Sequence, residues 1–230
     1  RNVLVLQSLV GGTGARQGSD GVDGRDSSLA NQRNTPIEKT EEETFATITD
    51  YSLRTDSGGA GKWRGGTGVS FSVKIAKHGS AVLGRGMERF VFRPWGMAGG
   101  CPGEKARVVV NLGTAQERDL GKLDVFQPEP GDIVTIMTPG GGGYGDPLDR
   151  TAKQVHDDVV FGYVTEQTAL RDYGVVIIAG RIDEAATDAR RREMRATRTA
   201  YSDFDFGPER RAWDAVFDDA NMLRLNALLM

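Results

Sequence analysis

Cysteine and histidine are almost missing from this sequence: Cys101, His78 and His156 are the whole inventory in 230 residues. A single thiol excludes an intramolecular disulfide and a cysteine zinc cluster, and it fits a reducing cytoplasm. Two histidines are too few for a self-contained histidine-rich metal site, and His156, beside Asp157 and Asp158, reads as a surface side chain. Long apolar runs are missing as well. Stretches such as Val175–Ala179 and Ile133–Met137 fall far short of the roughly 18 residues a spanning helix needs, so no membrane association is expected. Nor is there a basic excess: 29 Lys and Arg against 32 Asp and Glu leave a net charge of −3, which argues against a nucleic-acid module. No serine stands in a G-x-S-x-G setting, so a nucleophile elbow is excluded.

What the chain has in quantity is glycine, 31 residues of it, and only four lie beyond Gly145. With 38% hydrophobic and 27% charged residues the composition is that of a globular protein. The glycine gradient splits it into a β-rich region with glycine loops over residues 1–146 and a helical extension with one buried strand over 147–230. The expected fold class is α+β, mainly antiparallel. RNVLVLQSLV reads as a strand entered in mid-run, the start expected of a segment of a longer protein. Val69, Phe71, Val73 and Ile75 alternate with polar residues as a half-buried strand requires, Lys77–Ser80 reads as a hairpin turn, and Ala81–Leu83 as the return. Phe45–Leu53, Arg89–Phe92, Ala106–Leu112 and Ile133–Met137 are further strand candidates, with no helix evident among them.

In the second region Thr151 and Gln154 have capping-box spacing ahead of Ala152, Val155 and Val159, and Gly162 should end that helix. Thr165 caps a short helix through Arg171, and YGVVIIA reads as a buried strand. Asp183–Arg198 is the strongest helix, its Arg190, Arg191, Arg192, Arg195 and Arg198 reading as a solvated basic face. Pro208 opens a last helix carrying Trp213, Val216 and Phe217.

Three motifs tempt and fail. Gly140–Gly145 contains G-x-G-x-x-G after a strand, but no helix starts within it, so the glycines read as a strand-ending loop needing positive φ or close backbone approach. Asp56–Trp63 ends in Gly-Lys yet has Asp and Trp where a phosphate loop needs Gly and Ser/Thr. Asp20, Asp23 and Asp26 are spaced superficially like calcium ligands, but Asn31 stands where the loop-closing Glu belongs. Cys101, in the turn-like run GGCPGE, reads as a structural thiol.

Taken in order, GGTGARQGSDGVDG, NTPIEKTE, YSLRTDSGGAGKWRGGTG, PEPGDIVTIMTPGGGGYGDP and VVFGYVTEQTALRDYGVVI, with a looser FDFGPERRAWDAVF, resemble the hydantoinase B/oxoprolinase family. The resemblance implies the C-terminal portion of a B-type subunit in ATP-dependent enzymes that open cyclic amides such as hydantoins, 5-oxoproline or caprolactam. A second branch carboxylates ketones such as acetone or acetophenone, and a non-catalytic assembly scaffold is the alternative outside enzymes. It further implies a hydantoinase A-like subunit that binds ATP and magnesium, a divalent metal in an N-terminal B-type portion, a small-molecule substrate, and no cofactor held by this chain alone. The polar residues inside matching segments are Asp20, Asp23, Asn34, Glu38, Arg54, Ser57, Arg64 and Tyr144. They are candidates for lining a reaction chamber, Asp20 and Asp23 to orient water or a metal-bound group and Arg54 or Arg64 to offset phosphate charge.

Overall fold

A computed structural model describes residues 3–25, 32–198 and 203–229. In chain order the elements are α1 (Ile37–Thr44), β1 (Thr47–Leu53), β2 (Val69–Lys74), β3 (Val82–Leu83), β4 (Gly96–Met97), β5 (Arg107–Val110), β6 (Arg118–Asp119), β7 (Val125–Phe126) and β8 (Ile133–Met137). After a 3-10 turn at Pro147–Asp149 come α2 (Ala152–Val160), α3 (Glu166–Tyr173), β9 (Ile177–Ile178), β10 (Arg181–Ile182), α4 (Glu184–Thr197), β11 (Phe204–Asp205), α5 (Gly207–Val216) and α6 (Asp219–Leu229). Mixed helix and antiparallel sheet make this the expected α+β class.

The main sheet runs β1-β2-β8-β5-β6, antiparallel throughout. Its alternating strand β2 lies second in the sheet, with Phe71 opposite Ile136 and Ser72 opposite Thr135, whose hydroxyls meet at 2.8 Å. Val108, Val110 and Val134 pack beneath it with Ile75 and Leu123 as one hydrophobic cluster. A second cluster joins Ala60 of the glycine region to Val155, Val164, Ala169, Tyr173 and Val175 of the helical region.

The glycine segments pack backbone against backbone as a layer. Gly140–Gly143 runs through it, and a Cβ on each successive residue would meet a different backbone: Ser57 O at 1.8 Å, Thr13 O at 1.8 Å, Trp95 O at 1.8 Å and Ala60 O at 2.2 Å. The direction returns to the 57–60 stretch after three residues, the period of an extended polyproline-II-like chain rather than the two-residue alternation of a strand. Hydrogen bonds cross this layer between backbones, with Gly141 N to Gly66 O at 2.8 Å, Gly59 N to Gly141 O at 2.8 Å, Gly66 N to Thr13 O at 2.9 Å and Gly143 N to Cys101 O at 2.9 Å. Close approach is the reason for glycine here; positive φ applies at Gly145 (73°), just beyond.

Several expectations are corrected. Residues 3–10 form no strand, and Leu4 and Leu6 face outward. Val82–Leu83 pairs with Val125–Phe126 instead of returning on β2, because β1 and β8 already occupy both edges of β2. Arg89–Phe92 is irregular. Phe45 leaves the strand to close α1 in the left-handed region (φ 56°), and α1 itself, a polar helix with one buried residue, Thr40, has no apolar stripe to announce it. The run YGVVIIA buries Val175 but continues as a two-residue hairpin arm, with Ile178 largely exposed. The basic face of α4 is not simply solvated: Arg191 donates to Tyr173 O (2.9 Å) and Arg150 O (2.7 Å), Arg195 to Leu148 O (3.1 Å), and Arg198 pairs with Asp146. The helix caps hold as read: Thr151 and Gln154 form a reciprocal capping box, and Thr165 caps α3.

Substituting Gly141→Ala should therefore cost about 3 kcal/mol or more, since the new carbon has backbone on its far side. Gly79→Ala, with open space around it and only a positive φ (77°) to penalise it, should cost about 1 kcal/mol. Denaturant unfolding of the two variants measures the difference.

Candidate functional site

The bend following Gly14 carries Asp20 and Asp23 back toward the glycine layer, where the Gly21 amide donates to Arg64 O at 2.7 Å and the Thr13 amide to Val22 O at 3.0 Å. Asp23 receives Arg64 Nη1 at 2.9 Å and Nη2 at 3.2 Å, the Thr67 amide at 2.7 Å and the Thr67 hydroxyl at 3.0 Å. Asp20 accepts the Arg64 amide at 2.8 Å and a bidentate fork from Arg150, both arms at 2.8 Å. Arg150 turns its other edge to Asp158, with Nε at 2.8 Å and Nη2 at 3.1 Å, and Arg64 Nε lies 3.5 Å from the same carboxylate. The side chains of Arg64 and Arg150 are only 3% exposed. Three carboxylates thus enclose two guanidiniums, and the Arg64 guanidinium also lies over the Tyr163 ring at 4.6 Å.

The electrostatics follow from this enclosure. Burial opposes ionisation of Asp23, but Arg64 and the Thr67 amide outweigh it and hold the carboxyl below its ordinary value. Burial pushes Asp158 up against the pull of Arg150 and Arg64. Burial likewise works against the charge on Arg150, and the Asp20 and Asp158 carboxylates overcome it and raise its pKa.

Of the candidates read from sequence, Asp20, Asp23 and Arg64 meet here. Arg150 and Asp158 complete the group and were not among them. A signal existed, since Asp158 is three residues from fully buried Val155 and shares the inward face of α2. Arg54 and Ser57 are neighbours elsewhere: the Ser57 hydroxyl donates to Arg54 O at 2.5 Å and accepts from Gly68 N at 2.9 Å, while Arg54 Nη1 donates to Lys105 O at 2.6 Å and Thr138 O at 3.1 Å. Burial lowers the pKa of Arg54, and among the described residues it joins no ion pair. Tyr144 exchanges backbone hydrogen bonds with Trp63 at 3.0 Å and stands against its ring. Asn34 lines a shallow depression of about 450 Å³ with Thr35, Pro36 and Tyr51, and Glu38 is exposed on the first turn of α1.

The residues present do not fit a cation. Asp20 and Asp23 are both satisfied by arginine, and among the described residues no three His, Cys, Asp or Glu side chains are grouped to hold a metal. Asp26 lies outside the described residues. His78 faces Glu129 at 3.1 Å on the surface, and His156 contacts Gly180 O at 3.0 Å. Cys101 is pushed up to about 11 by burial, which suits the structural thiol read from its sequence setting.

The family model of hydantoinase B/oxoprolinase matches residues 1–147. The chain belongs to the hydantoinase B/oxoprolinase family. Among relatives in this family, the caprolactamase subunit beta of Pseudomonas jessenii is 37% identical over 198 residues, covering 82% of this chain and 33% of that protein. A 5-oxoprolinase of Pestalotiopsis fici is 38% identical over 148 residues, 61% of this chain and 11% of the relative. The crystal structure of the ATP-dependent caprolactamase from Pseudomonas jessenii superposes with a TM-score of 0.69 at 33% identity, covering 80% of this chain and 33% of that one. Nucleotide-free acetone carboxylase shares the fold, with a TM-score of 0.67 at 24% identity over 84% of this chain and 31% of its own. The chain thus spans a third or less of these relatives' lengths.

Removing Arg150 leaves the buried Asp158 carboxylate with only Arg64 Nε, 3.5 Å away, and takes the charged partner from Asp20, which is 35% exposed and keeps the Arg64 amide, so Arg150→Ala should cost about 3 kcal/mol in denaturant unfolding. The pH dependence has a definite sign for Asp23. Its folded pKa lies below the ordinary 3.8, so its stabilisation is complete above that value and disappears as pH falls through the folded one. The stability gap between the wild type and Asp23→Asn should be widest above about pH 4 and shrink below it.

Proposed function

We propose that this chain serves as the C-terminal portion of a B-type subunit in an ATP-dependent cyclic-amide hydrolase. The observation that carries the reading is the 37% identity to caprolactamase subunit beta across 82% of the chain. In this reading ATP and magnesium belong to a hydantoinase A-like subunit, a divalent metal to an N-terminal B-type portion, and the chain contributes walls and positioned polar groups to a chamber completed by both. A single cysteine fits a cytoplasmic assembly, and among the described residues no helix is long and apolar enough to cross a membrane.

In this reading the polar residues divide the labour. Arg64 is committed to Asp23 and Asp158, which leaves Arg54, outside any ion pair among the described residues, as the arginine to offset negative charge on an activated substrate. Asp20 and Asp23 serve by holding the glycine loop in place rather than by touching a metal. Ser57 bridges two backbones and is no nucleophile.

A second reading has an observation of its own. The acetone carboxylase alpha subunit of Xanthobacter autotrophicus is 29% identical over 192 residues, which makes ketone carboxylation the alternative. Reconstituting the chain with its B-type complement and an ATP-binding subunit separates the two. A cyclic-amide hydrolase hydrolyses ATP when a lactam is added and bicarbonate is withheld. Turnover that demands bicarbonate and a ketone would move the assignment to the carboxylases. An assembled complex in which Arg54→Ala keeps full activity would favour a purely scaffolding role.

A further inference from the structure

The aromatic residues around α5 form one exposed face. Phe204, Phe206 and Trp95 follow one another with ring centres 5.8 and 6.0 Å apart, and Phe92, Trp213 and Phe217 do so at 5.7 and 4.2 Å. The Arg210 guanidinium joins the two rows, 5.8 Å from the Phe92 ring and 5.8 Å from the Phe206 ring. Trp95, Phe204, Phe206, Trp213 and Phe217 each remain more than 40% exposed.

Helix α6 departs from the rim of this face, because Phe217 caps α5 and α6 opens at Asp219. It is apolar on every side: Met222, Leu225, Leu228 and Leu229 share one flank, and Leu223 lies with Ala220 and Ala227 on the other. None of its residues is buried, and Leu228 is 84% exposed. Among the described residues its hydrogen bonds to the rest of the chain reach only Val216 and Asp218, in the turn before it. A helix apolar all round belongs in an interior, and eleven residues are too few to hold a helix alone in water.

One chain thus carries both halves of a contact, an apolar helix and an aromatic face, which is the condition for a self-complementary interface. Charge does not oppose self-association. Residues 207–229 hold four acidic and three basic side chains, and Glu209, Arg210 and Arg211 are already paired with Arg93, Asp214 and Asp205. With no excess of either sign, the surface also lacks the field that would select an oppositely charged partner. The area is sufficient. At about 200 Å² for each aromatic side chain, the five half-exposed residues offer on the order of 400 Å². One side of α6, about 16 Å long and about 10 Å across, brings each copy to roughly 700 Å², within the range of stable interfaces.

We propose that two copies of this chain pair about a two-fold axis, with α6 of each lying across the aromatic face of the other. The pairing is independent of which reaction the assembly catalyses.

Sedimentation equilibrium of the 230-residue chain tests it. The wild type should be a dimer with a dissociation constant of about 10 μM or tighter. The double variant Leu225→Glu/Leu228→Glu, whose exposed positions leave the fold intact by circular dichroism, should weaken the dimer at least about tenfold. Trp213→Ala, on the opposite side of the contact, should weaken it comparably, whereas Val160→Glu, an exposed position on α2, should leave it unchanged. A wild type that stays monomeric at about 100 μM overturns the proposal, as does a dimer that the double variant leaves intact. Protection of α6 from hydrogen exchange only in the reconstituted complex, with the isolated chain monomeric, would also overturn it and assign the face to a different subunit.

Discussion

Backbone packed directly on backbone at Gly140–Gly143 is the constraint from which the rest of the structure follows. Four successive residues face three neighbouring main-chain segments, at 57–60, Thr13 and Trp95, at separations no Cβ tolerates. Buried amides and carbonyls must be paired, and here they are paired across the layer by hydrogen bonds between extended segments rather than within one sheet. The layer fixes the 57–66 loop, and with it Ala60, the residue on which α2 and α3 build their cluster. The same loop delivers the Arg64 side chain to Asp23 and its amide to Asp20.

The ion-pair group built on that loop is better understood as a device for specificity than as a source of stability. Two buried guanidiniums forfeit hydration that three carboxylates restore only when every partner is in place, so a misplaced loop is penalised heavily. Arg191 extends the arrangement by holding the carbonyls of Arg150 and Tyr173, which ties α4 to the same centre. The arginine-rich helix thereby spends part of its charge on carbonyls instead of solvent.

Local signals were legible in the sequence wherever a few adjacent residues decide the outcome. The alternation from Val69 gave β2, Thr151 with Gln154 gave the start of α2, and Pro208 lies in the first turn of α5. Pairing was not legible, because which edge receives Val82–Leu83 depends on strands brought in from Thr47 and Ile133. The short polar α1 lacked the apolar period that marks a helix, and α6 went unread for the same want of a one-sided pattern. For the candidate site, family motifs reached Asp20, Asp23 and Arg64, while Arg150 and Asp158 stood outside the attention drawn by glycine. Their role arises from a fork across 130 positions of chain, which no local window contains.

That separation has a kinetic meaning. The bend bearing Asp20 cannot be locked until Arg150 and Asp158 have been synthesised and α2 has docked. Contacts of such long range close slowly, because the loop entropy must be met before the charges meet. On the ribosome the glycine segments would therefore wait, extended and unpaired, for the helical half to emerge, and the last steps of folding would be the ones that bury the arginines.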